Sequence, residues 1–361
     1  MDRETLATLR AEIDRIDKDI IDLLERRAAA AIEIGGVKRS HGVPPLDLAR
    51  ENTVIEARVN ANGGPLSNAA LKHIFTEIIS ACRALQGQTR IAYLGPEATF
   101  THLAGQEYFG RSSDFVPGET VEEVFDHVER DRADFGVVPI ENSNEGAVGV
   151  TLDRLAVSGL KTSGEIYRRI SHVLMSREAD LASVETVFSH PQAIAQCRGW
   201  LSKHLPSCPT VHMPSTAVAA ARAADESRTA ALGNKALAEH HGLNVLARDI
   251  QDRWPNVTRF MVLGKKDCAP TGNDKTSIVF SVVHRPGALF RALAPLANHG
   301  INLTRIESRP SKESPWDYIF FVDLDGHQAD ESVRRAMQEL EASVSKLKVL
   351  GSYPAGEQSG R

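Results

Sequence analysis

The stretch Leu23-Leu24-Glu25-Arg26-Arg27-Ala28-Ala29-Ala30-Ala31-Ile32-Glu33-Ile34-Gly35-Gly36-Val37-Lys38 sits inside a longer periodic run. Leu6, Leu9, Ile13, Ile16, Ile20, Leu23, Ala30 and Ile34 recur at alternating spacings of three and four, with one interruption. That spacing predicts a single helix over residues 4–40. At ~1.5 Å per residue it would be roughly 55 Å long, too long for one small compact domain, so a second copy of the helix is its expected partner. The interruption is Arg27, which stands where the seam requires an apolar residue. An unpaired guanidinium buried there costs several kcal/mol, so an anionic group should meet it. Lys38, eleven residues on, falls about 20° from the same face, whereas Arg10 lies about 260° away from Arg27 and can serve such a pocket only across a paired helix.

Working outward, Pro44-Pro45 ends this helix, residues 47–60 form a second and 66–85 a third, with Asn62-Gly63-Gly64-Pro65 as the turn between them. Asp47, Arg50 and Glu51 share a face of the second helix, and Cys82 and Gln86 share a face of the third. After Gly87-Gln88-Thr89 the pattern changes to short β-rich runs alternating with helical ones: 91–94, 135–138, 184–188, 229–232 and 259–263. That rhythm predicts an α/β segment with a largely parallel sheet. The Gly-rich phosphate-binding fingerprints are missing from it, which argues against a nucleotide ligand. Residues 265–275 read as a linker by composition. Strands at 277–283, 302–308, 318–324 and 347–351 and helices at 287–299 and 331–342 then follow in the order βαββαβ of a ferredoxin-like domain, with the last few residues expected to be disordered.

The bulk properties narrow the classes. The chain has 361 residues, 42% apolar and 25% charged, with a formal net charge of −5. These values suit a soluble multidomain protein and give no reason to expect nucleic acid or an anionic membrane as partner. The N-terminal residues lack a secretory h-region, and no stretch approaches the ~18 apolar residues of a spanning helix. Cys82, Cys197, Cys208 and Cys268 have no metal or disulfide spacing, and His240-His241 point apart on a helix. A cytoplasmic protein without metal or cofactor is expected.

The middle segment holds four patches of interest: Gly95-Pro96-Glu97-Ala98-Thr99-Phe100, Glu141-Asn142-Ser143 with Glu145-Gly146, Ser189-His190-Pro191-Gln192, and Asn256-Val257-Thr258-Arg259-Phe260. The first joins a strand to a helix whose N-terminal amides could hold a carboxylate. The second follows an apolar strand, and strand C-termini line α/β ligand clefts. Near the C-terminus, Gly287-Ala288-Leu289 and Glu307-Ser308-Arg309-Pro310 stand out, with Gly287 permitting close approach of the backbone to a ligand.

Three resemblances follow from these residues. Leu9-Arg10-x-x-Ile13, Asp17, Leu24-x-x-Arg27, Gly35-x-x-Lys38, Asp47-x-x-Arg50-Glu51 and Phe75-x-x-Ile78-Ile79 resemble the helical class of chorismate mutase. That implies an intertwined all-α dimer, with Arg10, Arg27, Lys38, Asp47, Arg50, Glu51, Cys82 and Gln86 at substrate-binding positions and one arginine donated across the dimer. The four middle patches, with Ser215-Thr216-Ala217, resemble prephenate dehydratase, which implies two α/β lobes like a type 2 periplasmic binding protein. Ala98 stands where that family usually has glycine, and Pro214 where some members carry an acid. The resemblance implies that Thr258 polarises the departing hydroxyl, amid Thr99, Glu141, Asn142, Ser143, His190, Gln192 and Phe260. Arg259 is either a carboxylate partner or a structural ion pair. Gly287, Ala288, Leu289, Asn302, Glu307, Ser308, Arg309 and Pro310 resemble the effector-binding residues of a phenylalanine-binding ACT domain, which pairs side by side with a second copy.

The expected organisation is a mutase domain over 1–88, a dehydratase domain over 89–267 and an α+β ACT domain over 275–354. The expected function is chorismate to prephenate, then prephenate to phenylpyruvate, carbon dioxide and water, under feedback by phenylalanine in a homodimer or higher homo-oligomer. The competing class is a non-enzymatic solute-binding module, and a second rival is an enzyme keeping only one activity.

Overall fold

The computed structural model describes residues 3–311 and 318–357. The expectation about the final residues falls on 358–361, outside the described residues. The chain divides into two compact units, Met1–Arg90 with Gln106–Asp114, and Ile91–Gly105 with Phe115–Arg361.

The first unit is built on α1 (Arg3–Ser40), α2 (Leu48–Asn60) and α3 (Asn68–Ala84). Asp47 caps α2 by accepting the Arg50 N–H at 3.0 Å, and Ser67 caps α3 by accepting the Ala70 N–H at 3.2 Å. Asn62 shapes the turn between them, accepting the Gly64 N–H at 3.2 Å and donating to the Leu66 carbonyl at 2.8 Å. Only Ala31 and Gly35 of α1 are buried. A Cβ on Gly35 would stand 2.9 Å from the Gln86 side chain, so the absence of a side chain is what lets α1 and the end of α3 meet. The apolar seam of α1 remains open, with Leu9, Ile13, Ile16, Ile20, Leu23 and Ile34 all about half exposed.

The chain continues through β1 (Arg90–Leu94), α4 (Phe100–Phe109), whose last four residues belong to the first unit, β2 (Asp114–Gly118), α5 (Val121–Glu129), β3 (Phe135–Asn142), β4 (Gly146–Ala147), α6 (Gly149–Val157) and β5 (Lys161–Arg169). It crosses to β6 (Val173–Ser176), β7 (Thr186–Ser189), α7 (Pro191–Gln196), α8 (Arg198–His204), β8 (Thr210–His212), α9 (Thr216–Asp225), β9 (Thr229–Gly233), α10 (Lys235–His241) and β10 (Asn244–Ala247), then returns as β11 (Val257–Gly264). One lobe carries the sheet β2-β1-β3-β11-β5, with β4 beside β3; the other carries β10-β6-β9-β7-β8. Neither sheet is largely parallel. β1–β3, β7–β8 and β7–β9 pair parallel, but β11 runs antiparallel to both β3 and β5, and β6 runs antiparallel to β9 and β10. The cause is the double crossing: β5 leads out of the first lobe and β11 leads back in beside it, so the two must oppose. The crossovers stay together, the Ile170 N–H meeting the Asn256 carbonyl at 2.8 Å.

The last sheet, β13-β14-β12-β15, comes from β12 (Asp274–Ser281), α11 (Ala288–Asn298), β13 (Leu303–Pro310), β14 (Tyr318–Asp325), α12 (Glu331–Ser343) and β15 (Lys346–Pro354). One face packs its helices around Ile278, Phe280, Leu296, Val322 and Leu340. The other places Val279, Phe321, Leu350 and Tyr353 in one core with Ile140, Leu152, Leu155 and Met261 of the first lobe. The linker is shorter than its composition suggested. Asp274 and Lys275 are buried members of β12, because Lys275 reaches Glu165 of β5 at 2.8 Å.

Candidate functional site

In the first unit, the C-terminal half of α1 faces the end of α3. Arg27 donates to the Ile78 carbonyl at 3.4 Å and Lys38 to the Pro45 carbonyl at 2.6 Å. Cys82 is buried, and the Gln86 Oε1 is buried without a hydrogen-bond partner among the described residues. Glu51 pairs with Arg83 at 2.6 Å. Burial pushes the Glu51 carboxyl up, against the opposing pull of Arg83 and Lys38. Asp47 is engaged as the α2 cap, and Arg50 and Arg10 are exposed, Arg10 on the open half of α1. Sequence reasoning missed Arg83, a 3% exposed cation that also donates to the Phe109 carbonyl and to Ser113 Oγ at 2.9 Å. It sits four residues beyond the buried Ile79, on the same face of α3.

In the second unit, strand register builds the site. Thr258 of β11 is paired with Asn142 at the end of β3, and Asn142 Nδ2 donates to Thr258 Oγ1 and to Asn256 Oδ1, both at 2.9 Å. Asn256 Nδ2 donates to Gln196 Oε1 of α7 at 3.0 Å. Glu145, in the hairpin after β3, accepts from Gln196 Nε2 at 2.6 Å and from Gln192 Nε2. Thr258, Asn142 and Gln192 are thereby joined into one polar network between the lobes, with Asn256, Gln196 and Glu145 as links.

The other expected residues surround this network or leave it. Ser143 Oγ is tied to the crossover, donating to the Pro255 carbonyl at 3.2 Å and accepting the Val257 N–H at 3.0 Å. Thr99 Oγ1 donates to the Leu94 carbonyl at 3.1 Å at the start of α4. His190 caps α7, accepting the Gln192 N–H at 3.3 Å, and burial pushes its imidazole below the usual range. Ala98 holds φ 60°, the left-handed region that favours glycine, and its carbonyl accepts from Asn234 of the second lobe at 2.7 Å. Pro214 lies just before the Ser215 cap of α9 and contributes no acid.

Glu141 is not around Thr258, contrary to the sequence expectation of a common polar shell, and Arg259 also faces away from it. Strand alternation turns the neighbours of Asn142 and Thr258 the other way. Glu141 pairs with Arg305 of β13 at 2.8 Å, and Phe260 is buried. Arg259 pairs with Glu165 at 2.7 Å and with Asp323 at 2.5 Å, and donates to Tyr353 Oη at 3.1 Å, which makes it a structural ion pair. Burial alone would disfavour the Asp323 carboxylate, but Arg259 and the Ser277 hydroxyl outweigh it and hold the carboxyl below its ordinary value.

In the last sheet, Gly287 precedes α11 at φ 75°, followed by the buried Ala288 and the half-buried Leu289. Asn302 donates to Asp325 at 2.9 Å. Along β13, Arg305, Glu307 and Arg309 share the partly buried face, while Ser308 and Pro310 are exposed. Arg309 pairs with Asp153 of α6 at 3.3 Å, so the motif that suggested an effector loop also grips the first lobe.

Comparison with known proteins decides the assignment. Residues 9–87 match the chorismate mutase type II family, 91–268 the prephenate dehydratase family and 276–342 the ACT domain family. A bifunctional chorismate mutase/prephenate dehydratase of Aquifex aeolicus is 48% identical over 355 residues, covering 97% of this chain and 98% of its own. The chain belongs to the bifunctional chorismate mutase/prephenate dehydratase family. It is an enzyme with a helical mutase domain, a two-lobed dehydratase domain and an ACT domain. A Stutzerimonas stutzeri member is 41% identical across 97% of this chain and 98% of its own. The crystal structure of an Arthrobacter aurescens prephenate dehydratase in complex with L-Phe is 36% identical with TM-score 0.69, covering 74% of this chain and 90% of its own. No helix among the described residues is long and apolar enough to cross a membrane.

Proposed function

We propose that the chain converts chorismate to prephenate in its helical domain and prephenate to phenylpyruvate between the dehydratase lobes, under feedback by phenylalanine at the ACT domain. The Claisen rearrangement requires no nucleophile or proton transfer. It requires a dianion held in a compact conformer and a cation where the ether C–O bond breaks. Arg27 has further N–H groups to give a carboxylate beyond the one on Ile78, and Lys38 and Gln86 serve the ether oxygen. Arg10 serves a neighbouring copy across the open seam of α1, which makes the protein a homodimer or higher homo-oligomer. The cytoplasm is its compartment.

In the dehydratase step the ring carboxylate leaves as carbon dioxide, and its C–C electron pair aromatises the ring and expels the hydroxyl. One proton from solvent balances the products as water. Thr258 hydrogen-bonds the departing hydroxyl and lowers the charge that builds on it. The observation that carries this reading is the Thr258–Asn142 contact at the point where Glu145, Gln192 and Gln196 join the lobes. Separate assays with chorismate and prephenate test both assignments. Arg27→Ala is expected to abolish chorismate turnover and spare prephenate turnover; Thr258→Ala is expected to lower prephenate turnover about 10²–10⁴-fold and spare the mutase. Near-normal mutase activity in Arg27→Ala, or parallel loss of both activities in Thr258→Ala, contradicts the assignment concerned.

A further inference from the structure

The amides beside Thr258 form a continuous series whose orientation is pinned at both ends. At the rim, the carboxylate of Glu145 can only accept, so Gln196 turns Nε2 toward it, at 2.6 Å. Gln196 Oε1 then faces inward, where it accepts from Asn256 Nδ2 at 3.0 Å and from His172 Nε2 at 2.9 Å. Burial holds the His172 imidazole below the usual range, so it is neutral, and a carboxamide oxygen partner requires its hydrogen on Nε2. Asn256, fully buried, presents Oδ1 to Asn142 at 2.9 Å. At the inner end, Asn142 Oδ1 accepts the backbone N–H groups of Asn144 at 2.9 Å and Glu145 at 3.3 Å, and a backbone N–H can only donate. Both ends therefore dictate one polarity. The two hydrogens of Asn142 Nδ2 go to Asn256 Oδ1 and Thr258 Oγ1.

We infer that this amide relay fixes the Thr258 hydroxyl as a donor toward substrate, with Asn256 and Gln196 as positioning residues and Glu145 setting the polarity at the rim. An oxygen that already accepts from an amide N–H directs its own hydrogen elsewhere. The inference rests on the reading of Thr258 as partner of the departing hydroxyl. It adds how so weak an acid can serve: the rotor is oriented before the C–O bond stretches, so no reorientation is needed in the transition state. Reversing one amide would turn the Thr258 hydrogen inward onto Asn142.

Asn142→Asp is the isosteric test. A carboxylate there accepts from Thr258, so kcat for prephenate is expected to fall about 10²–10⁴-fold at neutral pH, with KM within about threefold of wild type. As pH falls through the new carboxyl's titration, its O–H can donate again, and the ratio of variant to wild-type kcat is expected to rise. Gln196→Leu is expected to lower kcat by a smaller factor, with KM held and no such pH dependence. Thermal unfolding of each variant checks the dehydratase fold. Activity in Thr258→Ala would remove the reading on which the relay rests. An inactive Thr258→Ala combined with an Asn142→Asp enzyme that is unimpaired, or impaired equally at every pH, would overturn the relay alone. If Asn142→Asp does not fold, Gln196→Leu decides: a loss in kcat supports the relay, and a change confined to KM, or none, overturns it.

Discussion

Arg27 and Arg83 are both cations placed among apolar neighbours, yet only Arg27 was legible. It breaks a seam that runs for most of a 38-residue helix, whereas Arg83 lies one residue from the end of a 17-residue helix where no long period exists to break. Arg83→Ala leaves Glu51 partly buried without its guanidinium. It is expected to destabilise the mutase domain by about 2–3 kcal/mol, below the ~3–5 kcal/mol of a fully buried pair because Glu51 keeps some solvent. The Glu51→Gln variant should recover part of that loss in a double-mutant cycle followed by chemical denaturation. Additive losses would mean that the pair carries no coupling. The amides beside Thr258 were hidden for a related reason. Asn256 lies 114 residues from Asn142 and 60 from Gln196, and a relay of that kind leaves no periodic trace. Thr258 and Asn142 were readable only because each sits in a compact motif. The same motifs carried Arg259 and Glu141 along, and strand alternation then separated them.

Strands β2, β4, β5, β6, β8 and β10 were not anticipated, but the helices of the first unit and the βαββαβ order of the last domain came through from periodicity. Pairing direction did not, because a strand's own residues say little about which neighbour it meets. The return of β11 between β3 and β5 depends on the second lobe being an insertion. The crossover from β5 to β6 makes that dependence measurable. His172 lies within it, its N–H on Gln251 Oε1 at 2.9 Å and its ring on Gln196. Burial lowers its folded pKa below the unfolded value of about 6.5. Between the two values the unfolded chain binds more protons, so stability falls as pH drops from about 7 toward 5. His172→Gln keeps a donor for Gln196 and removes the titration. Its melting temperature is expected to fall less than that of wild type between those pH values. An equal fall would assign the acid sensitivity to other groups.

For the whole chain, the sequence suggested domains joined by linkers, and the second unit departs from that picture. The ACT sheet forms a common core with the first dehydratase lobe and supplies Asp323, Tyr353 and Lys275 to the buried Arg259–Glu165 pair. Deleting everything from Asn273 onward uncovers Ile140, Leu152 and Met261 and strips the cluster of Asp323, Tyr353 and Lys275, leaving Arg259 and Glu165. That deletion is expected to lower the melting temperature of the dehydratase unit by roughly 10 °C or more while chorismate turnover persists. A truncated chain as heat-stable as the intact one would show that the shared core contributes little. The double crossing also has a consequence for synthesis. β3 and β5 leave the ribosome with the place between them unfilled, and the strand that fills it, β11, comes only after roughly 90 further residues. At about 5–20 residues per second, the nascent first lobe presents two unsatisfied sheet edges on the order of ten seconds. During that interval it is a natural client for chaperones, and slowing translation across the second lobe would lengthen its exposure to aggregation.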